Sequence, residues 1–138
     1  MSRSVAVGVV DAGVVLARLD RRRRSHGRIA ELFQRSALGR IALYLSVVNL
    51  AEVLQHGRRY SEATGVDLVA FVAAFRVNLH RPDVDVVRRV ARLAEIEDTS
   101  LADRFAAATA EALDARLYTT ASTLATALRR RKVPVTRF

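Results

Sequence analysis

Residues 5–11, "VAVGVVD", are the stretch that decides the fold. The six small apolar residues Val5–Val10 follow one another without polar alternation, which is typical of a parallel strand covered by helices on both faces. Asp11 ends this run, and residues 13–19 then have the composition of a helix. A buried strand followed at once by a helix predicts a crossover unit of an α/β domain.

The same alternation of strand and helix continues along the chain. Further strands are predicted at 41–45, 117–120 and 133–136, and further helices at 25–35, 47–57, 66–77, 84–95, 101–115 and 124–131. The sequence has no internal repeat and no linker rich in Gly, Pro or Ser, and 138 residues fit one domain. We therefore predict a single domain, residues 1–138, with a three-layer α/β/α architecture around a central parallel sheet. Ligands of such sheets bind beyond the C-terminal ends of the strands.

The composition excludes several classes of protein. Hydrophobic residues make up 51% of the chain and the mean hydropathy is +0.10, as expected for a folded globular protein. The absence of cysteine excludes disulfides, thiolate metal sites and cysteine nucleophiles. The longest uncharged stretch has twelve residues, 117–128, too short for a membrane helix, and the apolar run before Asp11 is too short for a secretory signal. These features predict a cytoplasmic protein with no membrane partner.

The charge of the chain is strongly positive. The net charge is +9, and the basic residues are 22 arginines and the single Lys132. Residues 18–40 hold eight arginines against two acids, and residues 129–137 hold five basic residues and no acid. Because guanidinium groups match phosphate oxygens, a polyanionic partner is one interpretation, and ordinary solvated arginine-rich faces are the other.

Three carboxylates are candidates for a site at the C-terminal edge of the predicted sheet. Asp11 directly follows the most buried strand, although it could simply cap the next helix. Glu52 lies in the second turn of the helix after the second strand, where an exposed glutamate would be unremarkable. Asp103 fits a capping box with Ser100, yet the helix behind it presents mainly alanines on that side.

Carboxylates that converge repel one another and take up protons unless a cation neutralises them. Hard oxygen ligands suit Mg²⁺ or Mn²⁺. Such an ion can activate a water molecule and offset the charge of a phosphodiester under attack. The sequence contains no glycine-rich phosphate loop and no nucleophile elbow that would favour another chemistry.

Four segments together resemble a known family: "VVDAGVVLA" (9–17), "LSVVNLAEVL" (45–54), "TSLADRFAAATA" (99–110) and "LYTTASTLA" (117–125). In this order they resemble the PIN domains of VapC-type toxins, the ribonucleases of bacterial type II toxin–antitoxin pairs, over nearly the whole chain. The resemblance implies that Asp11, Glu52 and Asp103 are catalytic and hold Mg²⁺, or Mn²⁺, for hydrolysis of RNA by a metal-activated water. It also implies a homodimer and an inhibitory antitoxin partner.

Two positions depart from the family pattern. Gly13 stands where the family often has Ser, Thr or Asn, and Ser122 stands where we expect the aspartate of a T-A-D motif. Serine can hold a metal-bound water but brings no charge, so we expect weaker metal binding or a single ion. A catalytically weakened module that binds RNA or a partner, and a DNA-directed nuclease with the same site, are the alternatives.

Three arginines are expected to contact the substrate. Arg104 is adjacent to Asp103 and is predicted to bind the phosphate closest to the metal. Arg21 and Arg22 lie beyond the first predicted helix, where they are predicted to contact RNA or the antitoxin at the rim of the site.

Overall fold

The protein is built around a five-stranded parallel sheet. The structure, a computed structural model, describes residues 4–96 and 98–138, so residues 1–3 and 97 of the predicted domain lie outside it. The strand order is β3-β2-β1-β4-β5, with β1 at the centre. The strands are β1 (Ala6–Val10), β2 (Ile41–Ser46), β3 (Asn78–His80), β4 (Arg116–Thr119) and β5 (Val135–Arg137).

Helices connect consecutive strands and cover both faces of the sheet. They are α1 (Ala12–Arg18), α2 (His26–Ala37), α3 (Val47–His56), α4 (Arg58–Thr64), α5 (Leu68–Ala74), α6 (Val84–Arg92), α7 (Leu101–Ala112) and α8 (Ser122–Arg130), with a 3₁₀ helix at Leu93–Glu95. None of the helices in the described ranges is long and apolar enough to cross a lipid bilayer. The three-layer α/β/α architecture predicted from the sequence is confirmed.

The core has two halves, one on each face of the sheet. Val9 and Leu117 belong to the half that includes residues of α6, α7 and α8, whereas Val10 and Leu43 belong to the half with α1, α2, α3 and α5. Val9 and Val10, adjacent in β1, are both 0% exposed. The end of the apolar run is therefore explained, because Val9 and Val10 enter opposite halves of the core, whereas Val5 at its start is 46% exposed and lies outside β1.

Two elements were not predicted from the sequence, β3 and α4. β3 is a three-residue edge strand whose central Leu79 is 43% exposed, so it leaves no apolar run in the sequence. α4 buries none of its residues and therefore has no apolar stripe. The predicted helix at 66–77 corresponds to the shorter α5, which begins after the capping side chain of Asp67.

Candidate functional site

Asp11 lies at the C-terminal end of the central strand and is almost completely buried. Its side chain is 3% exposed and caps α1, where Oδ1 accepts a hydrogen bond from the Val14 N–H at 2.9 Å. Oδ2 accepts a second bond from the Thr119 hydroxyl at the end of the neighbouring strand β4. The Thr119 hydroxyl in turn accepts from the Ala121 N–H at 2.9 Å, so the turn after β4 holds the carboxylate in one orientation.

The surroundings of Asp11 disfavour its negative charge. Burial raises the pKa of Asp11 to about 6, against the opposing effect of hydrogen bonds from Thr119, Val14 and the Thr120 backbone. The Asp103 carboxylate raises this pKa further by repulsion. Asp11 therefore caps α1 and lies at the C-terminal edge of the sheet, and it is buried, whereas the Asp83 cap of α6 is exposed.

The glycine at position 13 is explained by the packing beside Asp11. A Cβ atom at Gly13 would lie 2.2 Å from the Thr120 Oγ1 and 3.4 Å from the Asp11 Oδ1. The Thr120 hydroxyl therefore occupies the space that a side chain at position 13 would need. A polar side chain next to Asp11 comes from the turn after β4 and not from α1.

Asp103 stands in the first turn of α7 and forms the predicted capping box. Its N–H donates to the Ser100 Oγ at 3.0 Å, and its Oδ2 accepts from the Ser100 N–H at 3.5 Å. Asp103 therefore caps α7 and also lies close enough to Asp11 to raise the pKa of that carboxyl group by repulsion.

Glu52 is connected to the start of α7 by Asn49, which sequence reasoning missed. Asn49 is 0% exposed, and its Nδ2 donates to the Ala102 carbonyl at 2.9 Å and to the Glu52 Oε1 at 3.4 Å. Its Oδ1 is buried and has no hydrogen-bond partner among the described residues. The signal was present in the sequence, since Asn49 precedes Glu52 by three residues and thus lies on the same side of the helix.

The three carboxylates lie at the end of β1, in the middle of α3 and in the first turn of α7, and they do not form a compact cluster. Within residues 4–96 and 98–138, no three acidic or histidine side chains are grouped closely enough to hold a metal ion. No basic side chain of these ranges forms a salt bridge with Asp11, Glu52 or Asp103. A buried acid repelled by a second one, in a chain of net charge +9, is the donor chemistry that a divalent cation neutralises.

The residue in the position equivalent to Asp11 after β4 is Ala121, one residue before Ser122. Ala121 is the N-cap of α8 and makes no side-chain capping bond, whereas Ser122 is the first residue of the helix and is exposed. Neither residue supplies a carboxylate. This turn contributes hydrogen bonds to Asp11 and no charge.

The three predicted arginine contacts have different surroundings. The Arg104 guanidinium donates from Nε to the Thr99 Oγ1 and from Nη2 to the Thr99 carbonyl, both at 3.2 Å, and so braces the segment before α7. Arg21 and Arg22 are exposed in the turn after α1, and Arg22 lies 3.6 Å from the Asp20 carboxylate. Of the three, Arg21 and Arg22 are the more available to a partner.

The comparisons with known proteins agree with this geometry. The family model described as the PIN domain matches residues 8–126, a range that contains all three carboxylates. No curated protein matches the chain.

Several solved structures share the fold at low sequence identity. VapBC2 from Rickettsia felis, bound to a DNA fragment from its promoter, matches with a TM-score of 0.68 and 18% identity over 96% of this chain and 98% of that one. VapC20 of Mycobacterium tuberculosis, described as a toxin that cleaves the sarcin–ricin loop, matches with a TM-score of 0.63 and 15% identity over 87% of this chain and 94% of that one. VapBC-1 from nontypeable Haemophilus influenzae matches with a TM-score of 0.62 and 16% identity over 95% of this chain and 97% of that one.

Proposed function

This chain belongs to the PIN domain family, and from that premise we propose that it is a metal-dependent endoribonuclease, the toxin of a type II toxin–antitoxin pair. The observation that carries the proposal is the buried Asp11 at the C-terminal edge of the sheet. Its carboxylate is held by Val14 and Thr119, is repelled by Asp103, and has no basic partner among the described residues. A buried carboxylate of this kind destabilises the folded protein unless a bound cation neutralises its charge.

The proposed metal ligands are Asp11, Glu52 and Asp103, with Ser122 as a contact through water. When bound, Mg²⁺ or Mn²⁺ would supply positive charge to the scissile phosphate and favour the hydroxide form of water. In the hydrolysis, the water oxygen forms a bond to phosphorus, one phosphorus–oxygen ester bond breaks, and the leaving oxygen takes a proton.

The other residues of the site act by positioning the carboxylates. Thr119 and the Val14 N–H fix the two oxygens of Asp11. Asn49 holds the Glu52 side chain against the start of α7, which carries Asp103. Because the three acids are not grouped closely enough in the described residues to hold a metal ion, a bound cation would have to draw their side chains together.

RNA is the proposed substrate and the cytoplasm the proposed place of action. The net charge of +9 supports a polyanion, and one structural relative is described as a toxin that cleaves an RNA loop. Arg21 and Arg22 are the proposed backbone contacts because their side chains are exposed. Arg104 is proposed as a contact only through the part of its guanidinium that Thr99 does not engage.

An antitoxin is the proposed protein partner, and a homodimer the proposed assembly. Two of the similar structures are VapBC proteins, which supports a partner of the antitoxin class. Val84 and Val87, one helical turn apart at the start of α6, are 65% and 50% exposed, and their apolar surface supports a protein interface there.

The second candidate function is a catalytically weakened module that binds RNA or a partner. It is favoured by the methyl group of Ala121 and the hydroxyl of Ser122 at the turn after β4, where neither residue adds a charge to the three carboxylates. This alternative predicts RNA binding that salt weakens and that chelators leave unchanged.

The test is metal-dependent cleavage of single-stranded RNA by the purified full-length protein. We expect cleavage with Mg²⁺, its loss with EDTA, and a Mn²⁺ site detectable by calorimetry. Asp103→Asn should lower kcat/KM by about a hundredfold or more and weaken Mn²⁺ binding, since it removes a charged ligand.

Asp85→Asn is the matched control, because Asp85 is exposed on α6 and pairs only with Arg89 among the described residues. It should leave both cleavage and Mn²⁺ binding unchanged. RNA binding without cleavage, together with no Mn²⁺ site, would favour the weakened module.

A further inference from the structure

A solvent-open groove runs along α8 away from the proposed site. Its volume is about 540 Å³, and it lies between the segment around Ile96 and Asp98 and one side of α8. Asp98 precedes Ser100, the cap of the helix that carries Asp103, and Ser122 follows the turn that holds Asp11. Both walls of this α8 groove therefore lead to the carboxylates of the proposed site.

The α8 wall carries a polar stripe. Ser122, Thr126 and Arg130 are spaced at i, i+4 and i+8, so they lie along one side of the helix over about 12 Å. All three are exposed, and their side chains make no hydrogen bond or salt bridge with the other described residues. The stripe offers two hydroxyl groups near the proposed site and a guanidinium at the far end.

The opposite wall carries a hydrogen-bond acceptor, the Asp98 carboxylate, next to the apolar side chain of Ile96. Asp98 is exposed and forms no salt bridge within the described residues, and Ile96 beside it is only 7% exposed. An ion pair between Glu95 and Arg131 joins the two walls. Among the described residues that line the groove, the free acidic group is therefore Asp98, since the carboxylate of Glu95 is engaged.

We propose that the α8 groove binds an unpaired nucleotide of the RNA next to the cleaved bond, and that Asp98 selects a base with an exocyclic amino group. This inference rests on the proposed function. A carboxylate repels phosphate but accepts a hydrogen bond from the amino group of cytosine, and by the same chemistry from that of adenine or guanine. Uracil has no such group. Arg130 binds the adjoining phosphate, and single-stranded RNA exposes the base edges that such a site needs.

The size and place of the groove agree with this ligand. A volume of about 540 Å³ lies within the range of about 300–1,000 Å³ typical of small-ligand sites, enough for one nucleotide. The groove follows on from the site where the phosphodiester would be cut, so its occupant is a nucleotide flanking that bond. Base preference in this nuclease would then come from one carboxylate outside the metal ligands.

The first experiment measures RNA binding in EDTA, which removes cleavage from the comparison. Fluorescence anisotropy of the full-length protein should give about tenfold tighter binding to oligocytidylate than to oligouridylate. Asp98→Asn should bring the two affinities close together, since an amide can donate to the uracil oxygen as well as accept from cytosine.

Asp114→Asn is the matched control, because Asp114 is also exposed and also has a left-handed backbone, with φ of 49° against 58° at Asp98. It should keep the tenfold preference. Equal affinities for the two oligonucleotides in the unmodified protein would overturn the proposal, and so would an unchanged preference in Asp98→Asn. Binding of hexa-arginine that Asp98→Asn abolishes, with no base preference, would assign the groove to a basic peptide.

The second experiment sequences the ends that the protein produces from a random single-stranded RNA pool with Mg²⁺. One position beside the cut should be depleted of uracil, and Asp98→Asn should restore uracil there. Cleavage with no base preference would contradict only the groove proposal. A complete absence of cleavage would contradict the proposed function, and the binding measurement would still decide the role of the groove.

Discussion

The two adjacent strands β1 and β4 are each followed by a helix, but the two turns between strand and helix have opposite chemistry. After β1 the capping residue of the helix is Asp11, whose Oδ1 accepts from the Val14 N–H. After β4 the capping residue is Ala121, and α8 has no side-chain cap. The two turns meet at the bond from the Thr119 hydroxyl to the Asp11 carboxylate.

The turn after β1 therefore carries the negative charge, on Asp11, and the turn after β4 holds that side chain in place. The turn after β4 orients Asp11 through Thr119, and the Thr120 hydroxyl fills the space above Gly13. Because no second acid stands after β4, the negative charge that acts on Asp11 comes from Asp103 of α7. The asymmetry can be tested by removing the charge from the first turn, by crowding the contact between the turns, and by adding a charge to the second.

The largest expected effect is on the pH dependence of stability, through Asp11. Its pKa in the folded protein is about 6, whereas an unfolded aspartate titrates near about 3.9. Between these values the folded protein binds more protons than the unfolded chain. The metal-free protein should therefore lose about 3 kcal/mol of unfolding free energy from this group as the pH rises from about 3 to about 7, with most of the loss between the two pKa values.

Denaturant unfolding of the metal-free protein and of Asp11→Asn across this pH range measures the effect. The fall should be absent from Asp11→Asn, which keeps a capping oxygen and has no charge to bury. Asp83→Asn is the control, since Asp83 caps α6 through the same bond to the third residue on, at 2.9 Å, but is exposed. If Asp11→Asn unfolds with the same pH dependence as the unmodified protein, Asp11 is not the source of the burial cost.

The second prediction concerns the contact between the two turns at Gly13. Gly13→Ala should destabilise the protein by about 1 kcal/mol, because the cost of displacing the Thr120 Oγ1, 2.2 Å from the new methyl group, exceeds the gain that alanine brings to α1. The opposite sign is expected for Gly27→Ala in α2, where nothing lies within 4 Å and alanine favours the helix by up to about 1 kcal/mol.

Thermal and denaturant unfolding of both variants, and of the double variant Gly13→Ala/Thr120→Ala, separates the clash from other effects. The double variant should recover most of the stability lost in Gly13→Ala. A stabilising Gly13→Ala would mean that the turn after β4 does not press against α1.

The smallest expected effect comes from placing an acid in the second turn. Ala121→Asp supplies the missing cap of α8, worth about 1 kcal/mol of unfolding free energy, and adds a carboxylate beside the proposed metal site. Mn²⁺ should bind about fivefold more tightly, a similar gain in free energy. Calorimetry should give a smaller gain for Ser122→Asp, since Ser122 is the first residue inside the helix. A larger gain for Ser122→Asp would show that position 122 is the one that faces the metal.

Much of the fold could be predicted because burial leaves a periodic trace in the sequence. The apolar run Val5–Val10 predicted the central strand, and its residues Val9 and Val10 are fully buried on opposite faces. β3 could not be predicted, since an exposed edge strand of three residues owes its existence to pairing with β2, where Ser46 faces His80. Pairing of this kind depends on a neighbour more than thirty residues earlier.

The sequence proposes a set of candidate site residues, but their arrangement depends on the fold. Asp11 and Asp103 were both expected to serve as possible caps, and both do. That Asp103 repels Asp11, that Asn49 connects Glu52 to α7, and that Thr99 engages Arg104 became apparent only from the folded chain. The residue types in these contacts are common on helices, so the sequence alone does not single them out.

The sequence by itself determined the parallel sheet and the helical layers, because these depend on local apolar patterns, and its resemblance to a family supplied the three candidate carboxylates. The tertiary structure alone decided that Asp11 is buried with a raised pKa and that Thr119 and Thr120 support it. The physical reason is that desolvation and repulsion depend on the distances from the end of β1 to α7 and β4, segments that lie about a hundred residues later in the chain and approach Asp11 only in the folded sheet.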